Sequence, residues 1–168
     1  MTAEELLERY AAGERNFAGV DLSVTDGSVW IELKKVDLRG INLRGANLYR
    51  ANLGGANLSD ASLFGTSLSY ANLIGIDLSK ADLRGANLWC ANLRLANLSH
   101  ANLEGAKLSN AILRDTNLSQ TNLNHANLSD ADLTSAKGLI FTSFIQNALL
   151  WDTTMPDGRI EVGTRYAG

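Results

Sequence analysis

Ala46-Asn47-Leu48-Tyr49-Arg50-Ala51-Asn52-Leu53-Gly54-Gly55-Ala56-Asn57-Leu58-Ser59-Asp60 is one five-residue phrase written three times. Read outward from there, leucine recurs at every fifth position from Leu38 to Leu133, twenty times without a miss. The residue two before each leucine is Ala in fourteen of the twenty cases and Thr, Val or Ile in the rest. The residue just before it is Asn or Asp in sixteen. The unit is therefore A-[N/D]-L-x-x, with the last two positions variable.

A period of five suits neither a helix at 3.6 residues per turn nor a strand at 2. A helix would scatter the leucines around its circumference, and a flat strand would send alternate ones to opposite faces. The consistent answer is a chain that turns once per pentad, with the leucine and the small residue pointing inward. Stacked coils then bury a continuous leucine column, which is the logic of an all-β solenoid. Two inward residues per pentad leave room for one large side chain, which explains the alanines. The Asn column suits amide ladders running from coil to coil. Each buried leucine contributes about 1.5–3 kcal/mol, against backbone ordering of about 1–2 kcal/mol per residue, so no coil is expected to stand alone.

The run Ala46–Asp60 resembles the pentapeptide-repeat family, which is especially abundant in cyanobacteria. The opening Leu6-Leu7-Glu8-Arg9-Tyr10-Ala11-Ala12-Gly13-Glu14-Arg15 and the late Thr153-Thr154-Met155-Pro156-Asp157-Gly158 are similar to stretches common in cyanobacterial members. The resemblance implies a right-handed quadrilateral parallel β-helix with four pentads per coil. Residues 36–135 would then make five regular coils.

The flanks extend this plan into one domain over residues 1–168. Residues 3–12 read as a short helix, part of a helical cap over 1–15. Thr2 and Glu5 form a capping box, Glu4 and Glu5 favour the positive end of the helix dipole, and Gly13 ends the element. Leu6, Leu7 and Tyr10 form its apolar stripe, which the open end of the stack would cover. Phe17 and Leu22, five apart, begin the repeat in another phase, and residues 16–35 read as irregular first repeats. Leu22 to Leu33 reads as two repeats plus one residue, with a small hairpin or bulge at Asp26-Gly27 and Trp30 packed nearby. Past Leu133 the register breaks at Thr134–Lys137 and resumes two residues late. Ile140, Ile145, Leu150 and Met155 are five apart, each with a small residue two before it. Residues 136–157 read as a sixth coil, with a capping helix over 138–157 as the alternative. Pro156-Asp157-Gly158 is a turn signal, and the tail over 158–168 is expected to lie across the terminal edge as a short strand. Six coils at about 4.8 Å give a rod of roughly 29 Å.

Composition excludes several function classes. The chain has 168 residues, 45% of them hydrophobic, and a net charge of -3. From Val36 to Ser135 eight acidic residues face eight basic ones, so the repeats form a neutral rod. Some members of the family are described as mimics of a DNA duplex that inhibit DNA gyrase; a mimic needs dense, one-signed charge, which this rod lacks, so inhibition of gyrase or of another DNA-binding protein stands as the disfavoured alternative. No secretory signal and no membrane-length apolar run is present, and the single Cys90 fits a reducing compartment. The expectation is a cytoplasmic protein with no membrane association and no direct nucleic-acid binding.

With four pentads per coil, outward residues twenty apart share a column. Arg39, Ser59, Ser79, Ser99 and Ser119 make a serine ladder. Gly45, Gly65, Gly85 and Gly105 share a corner, where glycine serves a turn of positive φ. Tyr49, Tyr70, Trp89 and Cys90 are exposed near one another, and Ile74 and Leu95 replace polar residues on the next corner. This apolar patch is the expected partner surface. His100 and His125 fall in different columns, Cys90 lacks a histidine, and the filled interior leaves no cleft, so no catalytic, cofactor or metal site is expected. The function read from the sequence is a non-enzymatic protein-binding or structural scaffold. Its partner is another protein, and it exists as a monomer or as an end-to-end dimer through a C-terminal face carrying Phe141, Phe144 and Trp151.

Overall fold

The computed structural model describes residues 1–22, 31–139, 145 and 147–161. Parallel pairing steps along the chain by twenty residues: Asp37 pairs with Asn57, Asn57 with Asp77, Asp77 with Asn97, Asn97 with Asn117 and Asn117 with Lys137. Four pentads therefore close one coil, and residues twenty apart lie above one another. Each side of the coil is so short that pairing is confined to one residue per pentad, the one just before the leucine.

Where Asn or Asp precedes the leucine the repeat can satisfy all five backbone amides of a pentad, as the unit around Leu83 illustrates. Asp82 donates to the Ala61 carbonyl at 2.9 Å and Leu83 to that of Asn102 at 2.7 Å. Gly85 donates to Glu104 at 3.0 Å, and Ala86 closes the turn onto Leu83 at 3.0 Å. The remaining amide, of Arg84, has no backbone partner and donates to Asp82 Oδ1 at 3.3 Å. That last bond is why the repeat asks for Asn or Asp: a short side-chain acceptor must reach the amide two residues on. The expected amide ladders form beside it, as Asn72 Nδ2 donates to Asn52 Oδ1 at 3.0 Å and Asn122 Nδ2 to Asn102 Oδ1 at 3.1 Å.

Asn97 makes four such bonds. Its Oδ1 accepts from the Ser99 amide, the Ser99 hydroxyl and Asn117 Nδ2, and its Nδ2 donates to Asp77 Oδ1. Asn97→Ala is expected to cost about 1–3 kcal/mol, since it strands groups on two coils. Denaturant titration measures the loss.

Positive φ is not confined to the glycine column. Gly65 and Gly85 have φ of 65° and 63°, and Asp60, Lys80, Leu95 and Gln120 each have 59°. The third residue of every turn has to point its amide at the next coil, as Lys80 does toward Ser99 at 2.9 Å. Positive φ there fits a type II turn, so side chains at these corners accept a left-handed backbone that costs roughly 1–2 kcal/mol.

The interior of the repeats is mainly leucine and small residues, with Ile41 and Ile76 taking two of the small positions. Leu83, Leu88, Leu93 and Leu98 are fully buried, and so are Ala86 and Ala91. Thr66 and Thr121 take the small position with their hydroxyls donating to the Leu43 and Leu98 carbonyls, both at 2.7 Å, so no polar atom is stranded.

At the N-terminus α1 spans Ala3–Ala11. Thr2 Oγ1 accepts from the Glu5 amide at 3.1 Å, and Gly13 follows with φ of 97°. Leu6 is fully buried, Leu7 and Tyr10 lean on the core, and the Tyr10 hydroxyl donates to the Arg39 carbonyl at 2.9 Å. Asn16 and Asp21 already pair in parallel with Asn42 and Asn47. Glu32 pairs with Asn52, so from Asp21 to Glu32 the chain advances by a single pentad position. The reading of two repeats plus one between Leu22 and Leu33 is thereby corrected: that interval is one repeat with six surplus residues. The hairpin expected at Asp26-Gly27 and the placement of Trp30 lie outside the described residues.

The C-terminal register also differs from the expectation. No break occurs at Thr134–Lys137, because Lys137 still pairs with Asn117 and donates to the Thr116 carbonyl at 2.8 Å. The two-residue slip falls later: Leu149 pairs with Asn127 and Thr154 with Asp132. Ile145, Ala148, Leu150, Thr153 and Met155 are buried. Ile140, Phe141 and Phe144 lie outside the described residues, and no helix occurs among the described residues of 138–157. β1 (Thr153–Thr154) pairs antiparallel with β2 (Ile160–Glu161). The turn between them is closed by Gly158 donating to the Met155 carbonyl at 2.9 Å.

Candidate interaction surface

Because the leucines fill the interior, any site must be built from turn residues, and the fourth and fifth positions of each pentad form the corners of the rod. One corner carries Tyr49 and Arg50, then Ser69 and Tyr70, then Trp89 and Cys90, one coil above the next. Tyr49 and Trp89 share a column two coils apart, with the small buried Ser69 between them. Tyr70, one residue along, fills that gap. Its ring meets Tyr49 edge-on at 5.8 Å and 83°, and Trp89 at 4.9 Å and 73°. Such contacts add about 0.5–1.5 kcal/mol beyond area burial, so the three rings form one ordered ladder. Arg50 lies over Tyr49 and Tyr70, at 5.5 and 5.9 Å from their centroids.

Cys90, the free thiol beside this ladder, is half-buried. Partial burial first, and then the nearby Cys90 and Tyr49 groups, raise the Tyr70 phenol above its ordinary pKa, with Arg50 opposing. The ring therefore stays neutral at physiological pH.

Ile74 and Leu95 stand on the next corner, across a strip whose central side chains are Asn52, Asn72 and Asn92. Leu95 is 62% exposed, the most exposed large apolar side chain described, and it holds φ of 59°. A leucine here is costly on two counts, since Asn would accept the left-handed backbone more readily and water meets most of the side chain. Leu95→Asn is accordingly expected to raise stability by up to about 1 kcal/mol, measured as a higher thermal midpoint.

Two features of the surface escaped the sequence reading. Phe64 is exposed between Arg44 and Arg84, whose guanidinium carbons lie 4.6 and 5.7 Å from its ring centroid. The twenty-residue column 44, 64, 84 contained that signal. Ile112 replaces the Asn or Asp of its pentad and is exposed for that reason.

Among the described residues no group of three or more His, Cys, Asp or Glu is placed to hold a metal ion. His100 and His125 occupy different columns. A cavity of about 250 Å³ opens at the C-terminal end, lined by residues that include Leu139, Met155 and Arg159. No helix among the described residues is long and apolar enough to cross a membrane.

The family model for pentapeptide repeats matches eight copies spread over residues 31–137, more than half of the chain. No curated protein matches. Among solved structures, HetL, a pentapeptide repeat protein involved in heterocyst differentiation regulation from Nostoc sp. strain PCC 7120, is 29% identical over 96% of this chain and 100% of its own, with a TM-score of 0.46. Rfr23 from Cyanothece 51142 is 31% identical over 76% of this chain and 97% of its own, with a TM-score of 0.42. A pentapeptide repeat protein of the Arabidopsis thaliana thylakoid lumen is 31% identical over 62% of this chain and 69% of its own, with a TM-score of 0.49.

Proposed function

From a chain that belongs to the pentapeptide-repeat family, we propose a non-enzymatic, protein-binding scaffold: a right-handed quadrilateral β-helix, capped by α1, with residues 136–157 adding a sixth coil. The observation that carries this reading is the aromatic ladder of Tyr49, Tyr70 and Trp89, left exposed on a rod whose interior is full. A solvated corner needs no aromatic side chains, and three rings ordered against one another present a rigid apolar surface at low entropic cost, as interface anchors do. Cys90, Ile74 and Leu95 extend the surface toward the next corner. The proposed setting is the cytoplasm, with another protein as partner and no contact to nucleic acid or membrane.

The double substitution Trp89→Ser and Leu95→Ser tests the assignment. Both side chains lie outside the core, so the circular dichroism spectrum and the unfolding transition are expected to stay within about 1 kcal/mol of the parent. Affinity purification from the native cell with the parent protein as bait is expected to retain a partner that the variant loses. Equal recovery by both would remove the patch from consideration.

A further inference from the structure

We propose that the face between the aromatic and aliphatic corners binds an acidic, amphipathic helix of a partner protein, laid along the rod axis. This rests on the scaffold reading above and adds the chemistry of the partner.

Charge comes first. Over the first four coils of this face, in residues 31–35, 49–55, 69–75 and 89–95, the cations are Lys34, Lys35, Arg50 and Arg94 and the only carboxylate is Glu32. Within the balanced repeats of residues 36–135 this stretch of the face supplies Arg50 and Arg94, while its later coils carry Arg114, Asp115, Asp130 and Asp132, so the positive excess is confined to the part of the face in residues 31–95. None of the four cations has a carboxylate partner among the described residues, whereas Arg39, Arg84 and Arg114 each do. Glu32 is itself engaged, accepting from Asn52 Nδ2 at 2.9 Å. An acidic partner would meet cations that have no carboxylate partner among the described residues and would be steered to this side of the rod.

Shape comes second. The floor consists of the half-buried Asn52, Asn72 and Asn92, whose Oδ1 atoms accept from the amides of Gly54, Ile74 and Arg94. Covering these acceptors strands little, because they are already paired. The longer Tyr49, Tyr70 and Trp89 border one side and Ile74 and Leu95 the other. Three residues between corners span about 10 Å, the diameter of a helix with its side chains. The coil spacing of about 4.8 Å is close to the helix pitch of about 5.4 Å, so apolar residues on successive turns fall opposite successive coils. The apolar borders also favour a polypeptide over a nucleic acid, which would need a denser row of cations.

A fluorescein-labelled helical peptide of about 14 residues, which spans roughly 20 Å, tests the assignment by fluorescence anisotropy. It carries Leu and Phe on one face and Glu elsewhere. Controls replace Glu by Gln or by Lys, and a single-stranded oligonucleotide of matching length is run beside them. The Glu peptide is expected to bind, at least about tenfold tighter than the Gln peptide, and to weaken with added salt. Lys34→Glu with Arg94→Glu, both on exposed turn positions, is expected to lower its affinity about tenfold or more without changing thermal unfolding. Equal binding of the Glu and Gln peptides, no binding of any peptide, or preferential binding of the oligonucleotide would each overturn the proposal. A native partner lost by the Trp89 and Leu95 variant but kept by the charge-reversed one would overturn the acidic assignment and leave the scaffold reading standing.

Discussion

Leu83→Arg is expected to abolish cooperative folding. Leu83 is fully buried, with the equally buried Leu63 beneath and Leu103 above in the same column. The surrounding interior is leucine, alanine and backbone whose amides are already paired, so a guanidinium placed there finds no counter-charge. Arginine cannot escape by losing its proton. An unpaired buried charge costs several kcal/mol even after relaxation, set against a total stability of about 5–15 kcal/mol for a typical domain. The position makes the loss worse. In a stack stabilised by nearest-neighbour interfaces, a fault at mid-height uncouples the coils on either side. Leu83→Ala offers the milder comparison, at about 2–5 kcal/mol for the lost contacts and the cavity. Far-UV circular dichroism followed through a thermal scan decides the matter. A soluble Leu83→Arg protein with the parent's transition would contradict the leucine column as the source of stability.

The second expectation concerns the small position. Ile76 sits there fully enclosed, directly between Ala56 below and Ala96 above. A large side chain is thus accommodated in one coil because both adjoining coils give way. Ala96→Ile places a second isoleucine on top of the first, and overpacking of this kind costs about 1–3 kcal/mol. The double variant Ile76→Ala with Ala96→Ile moves the large residue up one coil and is expected to recover much of that loss. Recovery is expected to be partial, because the next residue up the column is the buried Thr116, whose branched side chain leaves less room than an alanine. Chemical denaturation of the single and double variants measures the coupling between coils directly. Additive effects would mean that the adjoining coils do not share this space.

Much of the fold was legible because it is periodic. Leu38 to Leu133 set the inward column, Ala and Thr the narrow positions, and the paired bonds of Asn52, Asn72, Asn102 and Asn122 follow from the residue before each leucine. Thr2, Glu5 and Gly13 announced the first helix. Two kinds of feature were hidden. The Oδ1 acceptance from the amide two residues on was missed because it arises from turn geometry, which a hydrophobic pattern does not carry. The left-handed corners at Asp60, Lys80 and Leu95 were missed for the same reason, since only the glycine column advertised them. Phe64 between Arg44 and Arg84 was visible in principle, but only once columns were read for charge and aromatic residues together.

The sequence by itself determined the solenoid, the inward leucines and the columns in which Tyr49, Tyr70, Trp89, Ile74 and Leu95 would stand. Strict periodicity makes each local choice repeat, and repetition leaves one global solution. Tertiary structure alone decided the phase at the two places where periodicity lapses. Whether eleven residues from Leu22 to Leu33 make two steps or one, and whether the late slip precedes or follows Lys137, depends on which carbonyl of the adjoining coil each amide reaches. It also decided that Tyr70 turns into the space above Ser69 and joins Tyr49 to Trp89, because that contact is made between coils and no stretch of one coil encodes it.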